Sequence, residues 1–441
     1  MTTEAKPLKE VFMKALVSGA GGVGQSVAML IKRNGNGGKD WLELMVIADY
    51  DFERAKEVAV LAQDERFVPE QADAADPVSI RTLITKYGID FVLNVVAPNY
   101  NEFIFDTCYE MGVTYMDCAM TLPTRHPEKP YELPYIKLGD YQFERADQWK
   151  EKGCLALIGS GVEPGVSNVF ARFAQKHLFD TIDEVNVRDG DNYVVPGQDV
   201  SFGFSIWTTI EECLNPPLIW EKERGWYTTE CFSEPEIFLF PGGIGPVEVV
   251  NVEHEEVVMV PRYIDCNRVT FKYGITREFR TMLKDLESLG MADASRMVRI
   301  GNRTITPRDF LVKVAPSPLE TSLQMVGKGC AGTWVTGKKD GLRRSVYLYQ
   351  VADNQECVQK YGTSSVVAQT AVGPVCMMEL LAKGIWSGTG VLTPEAFDPD
   401  PFVEAMEKYG FPAGIAEKDS EYREKMDVEN MLHTAEEQEL L

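Results

Sequence analysis

A glycine loop between an apolar strand and an amphipathic helix constrains this chain more than any other feature of its sequence. An apolar run at residues 14–18 precedes Gly19-x-Gly21-x-x-Gly24, and residues 25–33 have the apolar spacing of a helix. In such a loop the first glycine allows a tight turn, the second leaves room for a diphosphate, and the third lets helix and strand pack closely. The pattern predicts a dinucleotide-binding βαβ unit, although such a loop can also merely connect a strand to a helix.

An acidic residue completes this pattern. The next apolar run, Leu42 to Ala48, ends at Asp49, where a carboxylate can accept hydrogen bonds from both ribose hydroxyls of the cofactor. A carboxylate there also repels a 2′-phosphate, so NAD is favoured over NADP, with Arg54 one helical turn away. The predicted cofactor-binding residues are Gly19, Gly21, Gly22, Val23, Gly24, Asp49, Asn94, Ala97 and Pro98.

The alternation of strands and helices continues to about residue 180. It predicts an α/β fold: a Rossmann-type doubly wound parallel sheet covered by helices on both faces. Later segments look like strands separated by Pro/Gly turns, including 247–252 and 255–260, and indicate an inserted α+β substrate domain with a mainly antiparallel sheet. The helical pattern at 362–383 is predicted to return to the first domain.

These patterns divide the chain into four predicted parts. Residues 1–180 form the NAD(P)-binding domain, and residues 181–345 form the substrate-binding and dimerisation domain. Residues 346–415 return to the first domain, and residues 416–441 form an acidic tail that is a peripheral helix or partly mobile.

Charge and composition exclude several classes of protein. The chain of 441 residues has 44 Lys plus Arg against 67 Asp plus Glu, a net charge of −23 that repels nucleic acids and anionic lipid surfaces. The amino terminus lacks a signal-peptide pattern, and we expect a cytoplasmic location without membrane or nucleic-acid partners. Nine scattered cysteines and four dispersed histidines give no disulfide framework and no metal site.

Several segments resemble a known family. The run from Cys154 to Asn168, with Gly161-Val-Glu-Pro-Gly165, is similar to a segment of the saccharopine dehydrogenase (saccharopine reductase-like) family. Further segments resemble two of its branches. Ile305–Leu311 is similar to lysine ε-dehydrogenase, as are Phe204-Ser205 and the stretch from Phe238 to Glu248, whereas Phe397–Phe402 is similar to carboxynorspermidine synthase.

The resemblance implies an NAD(P)-dependent oxidoreductase that acts on a C–N bond of an amino acid or a polyamine-type substrate through an imine. It also implies a homodimer with the substrate held between the two domains. Simple deamination and reductive coupling of an amine to a carbonyl compound share this apparatus, and the sequence does not choose between them. Two alternative functions remain: a non-catalytic NAD-binding regulator, and a dehydrogenase that acts on a hydroxyl group.

Two residues are predicted to be catalytic. Asp117 ends a strand at the cleft and matches the acidic position of the family, where it can accept a proton or stabilise an iminium; the alternative is a turn or helix-capping aspartate. The resemblance places His254 near the inner sheet of the substrate domain, and its usual pKa suits acid–base chemistry; the alternative is an exposed strand histidine among acidic residues.

The predicted substrate-binding residues include three arginines, of which one is expected to pair with a substrate carboxylate. For Arg308 the alternative is a role in capping a helix. Asp189 and Asp191 either bind a distal amine or lie in a solvated turn. The predicted substrate-binding set is Asn101, Glu163, Arg188, Arg262 and Arg308.

Overall fold

The first 180 residues alternate between strands and helices. The computed structural model describes residues 12–34, 36–198 and 202–421. The strands are β1 (Met13–Ser18), β2 (Leu42–Asp49), β3 (Phe67–Gln71), β4 (Phe91–Asn94), β5 (Thr114–Asp117), β6 (Thr124–Arg125), β7 (Pro134–Ile136) and β8 (Leu155–Leu157). The helices are α1 (Gly22–Arg33), α2 (Phe52–Ala62), α3 (Pro77–Tyr87), α4 (Asn101–Met111), α5 (Asp140–Phe143), α6 (Ala146–Glu151) and α7 (Val166–Phe173).

The following stretch, to residue 353, is rich in strands. Its strands are β9 (Thr181–Asp191), β10 (Leu218–Glu221), β11 (Gly225–Thr228), β12 (Glu236–Phe240), β13 (Gly245–Asn251), β14 (Arg268–Gly274), β15 (Val298–Ile300), β16 (Arg303–Ile305), β17 (Lys328–Lys339) and β18 (Leu342–Asp353). Its helices are α8 (Ile206–Leu214), α9 (Glu256–Met259), α10 (Arg277–Ser288), α11 (Pro307–Val314) and α12 (Pro318–Gln324).

The remaining segment returns to both sheets. It contains α13 (Asn354–Tyr361), α14 (Ser365–Ala382), β19 (Gly390–Leu392), α15 (Asp400–Lys408) and β20 (Gly414–Glu417). The helix α14 packs against α1, where Val367 contacts Gly22. It is long and apolar enough to span a membrane by composition, but it is mostly buried within the protein, as a core helix is. The acidic tail was predicted to begin at residue 416, and its part after residue 421 lies outside the described residues.

The first sheet has seven parallel strands in the order β3-β2-β1-β4-β5-β8-β19, which confirms the Rossmann-type prediction. Chain order reverses between β1 and β4, and in such sheets ligands bind beyond the carboxyl ends of the strands at that point. The strands are buried on both faces by helices, and β1, β2 and β4 accordingly consist mostly of apolar residues.

The second sheet has the order β11-β10-β14-β9-β17-β18-β20, with β12 and β13 attached to β14. Its pairs are antiparallel except β9 with β14, which are parallel. One predicted strand is wrong: residues 256–259 form the short helix α9. All four residues of α9 are buried. A short helix that is covered on every side has the same continuous apolar sequence as a buried strand, so the pattern from Val257 onward does not distinguish the two.

Candidate active site

The glycine loop has the geometry that a dinucleotide diphosphate requires. Gly19 has a φ of +113°, which favours glycine, and a Cβ added at Gly24 would overlap the carbonyl oxygen of Gly19. A Cβ at Gly21 would meet nothing within 4 Å, so the space above the loop is open. Because α1 begins at Gly22 without a side-chain cap, its first amides are available to an anion. These residues fit the cofactor, and Val23 lies in the first turn of the same helix.

Asp49 lies beside this loop at the end of β2. Its Oδ2 accepts a hydrogen bond from the Ala20 amide at 2.8 Å, and its Oδ1 accepts one from the Asp51 amide at 2.9 Å. These bonds fix the carboxylate next to the glycine turn, where the adenosine ribose lies in proteins of this fold. Asp49 can still accept ribose hydroxyls, because each carboxylate oxygen has two lone pairs.

A buried polar network joins the carboxyl ends of β4, β5 and β8. Asp117 is 1% exposed; its Oδ1 accepts from the Gly159 amide at 2.8 Å, and its Oδ2 accepts from Tyr115 Oη at 2.9 Å and Gln142 Nε2 at 2.7 Å. Burial raises the pKa of Asp117 to about 7, although the three donors act in the opposite direction. Asp117 thus holds two strand ends together at the cleft.

The same network contains two of the predicted asparagines. Asn94 Nδ2 donates to Asn101 Oδ1 at 2.8 Å, and Asn101 Nδ2 donates to the Ala119 carbonyl at 2.7 Å. Both side chains are buried, so their amides position the loops around the cleft. Ala97 and Pro98 follow at the mouth, where Pro98 opens a single 3₁₀ turn and both residues are half-buried.

Six carboxyl groups and one histidine form a continuous group at the cleft's other wall, which we call the acidic cluster. Two bonds attach it to the first domain: the Met120 amide donates to Glu255 Oε1 at 3.1 Å, and Ser167 Oγ donates to Glu256 Oε1 at 2.8 Å. The cluster therefore lies next to the loops that follow β5 and β8. Four of its carboxyl groups interact with His254, and the other two, those of Glu163 and Asp191, interact with Asp189. The members are His254, Glu163, Asp189, Asp191, Glu212, Glu255 and Glu256.

His254 is 6% exposed and precedes α9, so the alternative of an exposed strand histidine is wrong. Its ring stacks on Phe271 with centroids 3.8 Å apart, and its Nδ1 donates to Glu256 Oε2 at 2.6 Å. Burial disfavours the imidazolium, but Glu256, Glu255 and Glu212 outweigh it and raise the pKa of His254 to about 10. The Nε2 atom has no hydrogen-bond partner among the described residues and is not sealed from solvent.

Burial also raises the pKa values of the surrounding carboxyl groups, to about 6 for Asp189, about 7 for Asp191 and about 8 for Glu212. No lysine or arginine is among the main charges acting on these three groups. Asp189 and Asp191 lie in β9 rather than in a solvated turn. A site of this kind accommodates cationic groups, because each ammonium relieves the repulsion among the carboxylates. The ligand atoms of His254, Glu255 and Glu256 also lie within 4.8 Å of one another, close enough to hold a metal ion.

The structure does not bring the three predicted arginines together at this site. Arg188 Nε donates to Glu236 Oε1 at 2.6 Å, and alternation along β9 places it on the face opposite Asp189. Arg308 donates to Glu211 and lies over Trp207. Arg262 is exposed and lies over the ring of Phe143. By contrast, the predicted Glu163 lies in the acidic cluster.

Sequence reasoning missed Glu212, Glu255 and Glu256 as members of this site. Glu255 and Glu256 adjoin His254 in Glu253-His-Glu-Glu256, a run of charge whose burial is the unusual feature. Glu212 comes from α8 and had no sequence signal, because only the packing of that helix brings it to the histidine.

The chain resembles known families and proteins over most of its length. Residues 15–157 match the saccharopine dehydrogenase NADP binding domain, and residues 161–411 match the saccharopine dehydrogenase C-terminal domain. The chain is 28% identical to a carboxynorspermidine synthase of Vibrio alginolyticus over 409 residues, which cover 90% of this chain and 95% of the relative. It is 27% identical to a carboxyaminopropylagmatine dehydrogenase of Synechocystis sp. over 402 residues, which cover 90% and 96%.

Among solved structures, saccharopine dehydrogenase (L-Glu forming) from Saccharomyces cerevisiae matches with a TM-score of 0.63 at 13% identity. The match covers 92% of this chain and 100% of that chain. At this identity the likeness concerns the fold.

Proposed function

The chain belongs to the saccharopine dehydrogenase family of NAD(P)-dependent oxidoreductases, and we propose that it reductively couples a primary amine to an aldehyde that bears a carboxylate. Enzymes of this class act on a C–N bond of an amino acid or polyamine-type substrate. The nicotinamide, when bound, supplies or accepts the hydride at the carbon attached to nitrogen.

The names of the two relatives support coupling rather than simple deamination. Carboxynorspermidine and carboxyaminopropylagmatine each contain a secondary amine between a carboxylated propyl unit and an amine or guanidino chain. Reductive coupling would form the C–N bond on the carboxylated side of that secondary amine. The two reactants are then an aldehyde with a carboxylate and a primary amine that carries a second cationic group.

The observation that carries the proposal is the acidic cluster around His254. Its carboxylates can attract the cationic amine, and the Nε2–H of His254, which has no hydrogen-bond partner among the described residues, can donate to the carbonyl oxygen. The amine nitrogen attacks the carbonyl carbon, the oxygen leaves as water with the protons lost by the ammonium, and hydride addition to the resulting iminium gives the secondary amine. Glu256 supports His254 by accepting from its Nδ1.

We propose NAD as the preferred cofactor, because Asp49 is held beside the glycine loop by two backbone amides. The residues that follow it, from Tyr50 to Glu53, include two further acids and no basic side chain. This arrangement favours ribose hydroxyls over a 2′-phosphate.

The test is a panel of amines and aldehydes with the purified protein, with nicotinamide oxidation or reduction followed at 340 nm in both directions. We expect NADH oxidation only when a diamine or guanidino amine and a carboxylated aldehyde are both present. Reduction of NAD by a single amine, without a need for the aldehyde, would instead establish deamination. No turnover with any pair would overturn the proposal.

A further inference from the structure

The acidic cluster extends beyond His254 along β9. Side chains alternate along this strand, so Asp189 and Asp191 point to one face. Their Cα partners on β17 are Ala331 and Gly329, two of the smallest residues. The small side chain of Ala331 leaves room beside Asp189, whereas the Tyr193 hydroxyl occupies the position that a Cβ of Gly329 would take beside Asp191. Two residues of strand extend the acidic face by about 7 Å.

Glu163 faces the same space from the loop after β8. Its Oε1 accepts from the Gly332 amide at 3.1 Å, whereas its buried Oε2 accepts no hydrogen bond from the described residues. The carboxyl group of Glu163 lies within hydrogen-bonding reach of that of Asp189. A buried carboxylate oxygen without a donor is costly, so this position is suited to an N–H group of a ligand.

Tyr193 closes the end of the acidic face that lies beyond Asp191. Its amide donates to Asp191 Oδ1 at 3.0 Å, and its hydroxyl lies 2.6 Å from Ser365 Oγ on α14. None of the main charges acting on Glu163, Asp189 or Asp191 comes from a lysine or an arginine, and His254 is the only cation among them. The far end thus contains three carboxyl groups and one closing aromatic ring.

From this arrangement we infer that Glu163, Asp189 and Asp191 form a subsite for the second cationic group of the amine substrate, whose first nitrogen reacts beside His254. This inference rests on the proposed function, which concerns the reacting nitrogen, and adds the part of the site that selects a diamine over a monoamine. The subsite favours a short chain, because Tyr193 limits its length.

The experiment compares 1,3-diaminopropane with propylamine, using one carboxylated aldehyde and NADH. We expect the native protein to prefer the diamine by at least 100-fold in kcat/KM. Asp191→Asn and Asp189→Asn should each reduce this preference at least tenfold, mainly through the KM of the diamine. Asp183→Asn, which changes an exposed residue of the same strand, is the matched control and should retain the full preference.

A binding measurement makes the result independent of turnover. Without cofactor, 1,3-diaminopropane should raise the melting temperature of the native protein and of Asp183→Asn more than propylamine does, and this difference should shrink in Asp191→Asn. A diamine preference that survives both β9 variants would overturn the subsite while leaving the coupling activity intact. A lack of NADH oxidation with every amine would instead refute the proposed function.

Discussion

The glycine loop and the acidic cluster face the same cleft, but backbone geometry forms the first and side-chain charge forms the second. In the loop, Gly19 and Gly24 are in mutual contact and the space above Gly21 is open. In the cluster, His254 is surrounded by carboxyl groups from several separate segments. The loop should consequently respond to added volume, whereas the cluster should respond to lost charge and to pH.

The largest effect should come from volume in the loop. In Gly24→Ala the new methyl group overlaps the Gly19 carbonyl oxygen, so we expect a loss of about 3 kcal/mol in the free energy of unfolding and no detectable NADH binding. Melting temperature and quenching of tryptophan fluorescence by NADH measure the two effects.

Gly21→Ala is the matched control for this change. Its methyl group meets nothing within 4 Å, so the melting temperature should remain while NADH affinity falls. Equal stability losses in the two variants would contradict the assigned roles.

On the other side of the cleft, His254→Gln should lower kcat by about 100-fold or more, because it removes the proton donor while keeping a polar side chain. The dissociation constant for NADH, measured by fluorescence, should stay within about twofold, since the glycine loop is untouched. Native kcat in this variant would exclude His254 from the chemistry.

Asp49→Ser tests whether the carboxylate beside the glycine loop sets the preference for NADH over NADPH. We expect NADH affinity to fall about tenfold while NADPH affinity falls less, because the carboxylate both accepts ribose hydroxyls and repels a 2′-phosphate. Titration of both cofactors gives the ratio, and an unchanged ratio would place Asp49 away from the ribose.

The smallest effect concerns stability and pH. The pKa of His254 in the folded protein, about 10, exceeds the usual histidine value of about 6.5, so its stabilising contribution is complete below about pH 6.5 and is lost as pH rises towards 10. The raised pKa values of Asp191 and Glu212, about 7 and about 8, act with the same sign, because the folded protein holds protons that the unfolded chain releases at lower pH. The melting temperature should therefore fall by several degrees between pH 5.5 and 8.5.

Glu212→Gln should make this decline shallower, and 1,3-diaminopropane should offset it by replacing the lost protons with bound positive charge. A melting temperature that rises over this pH range would contradict the ionisation assigned to the cluster.

The two regions also differ in how well the sequence predicted them. The glycine loop and Asp49 belong to one local pattern with fixed spacing, so the fold class and the cofactor crevice could be predicted from residues 14 to 49. The acidic cluster combines residues from β9, α8, the loop after β8 and the segment before α9, and only tertiary packing brings them together. For Arg188, alternation along β9 does indicate that it faces away from Asp189, a signal that reasoning from residue type alone overlooked.

The helix α14 contacts both walls of the cleft. Val367 touches Gly22 in the glycine loop, and Ser365 meets Tyr193 beside the acidic cluster. Both contacts lie in the first turn of α14, so the two walls of the cleft share one short stretch of helix as their support. A substitution that shifts this turn should therefore disturb the glycine loop and the acidic cluster together.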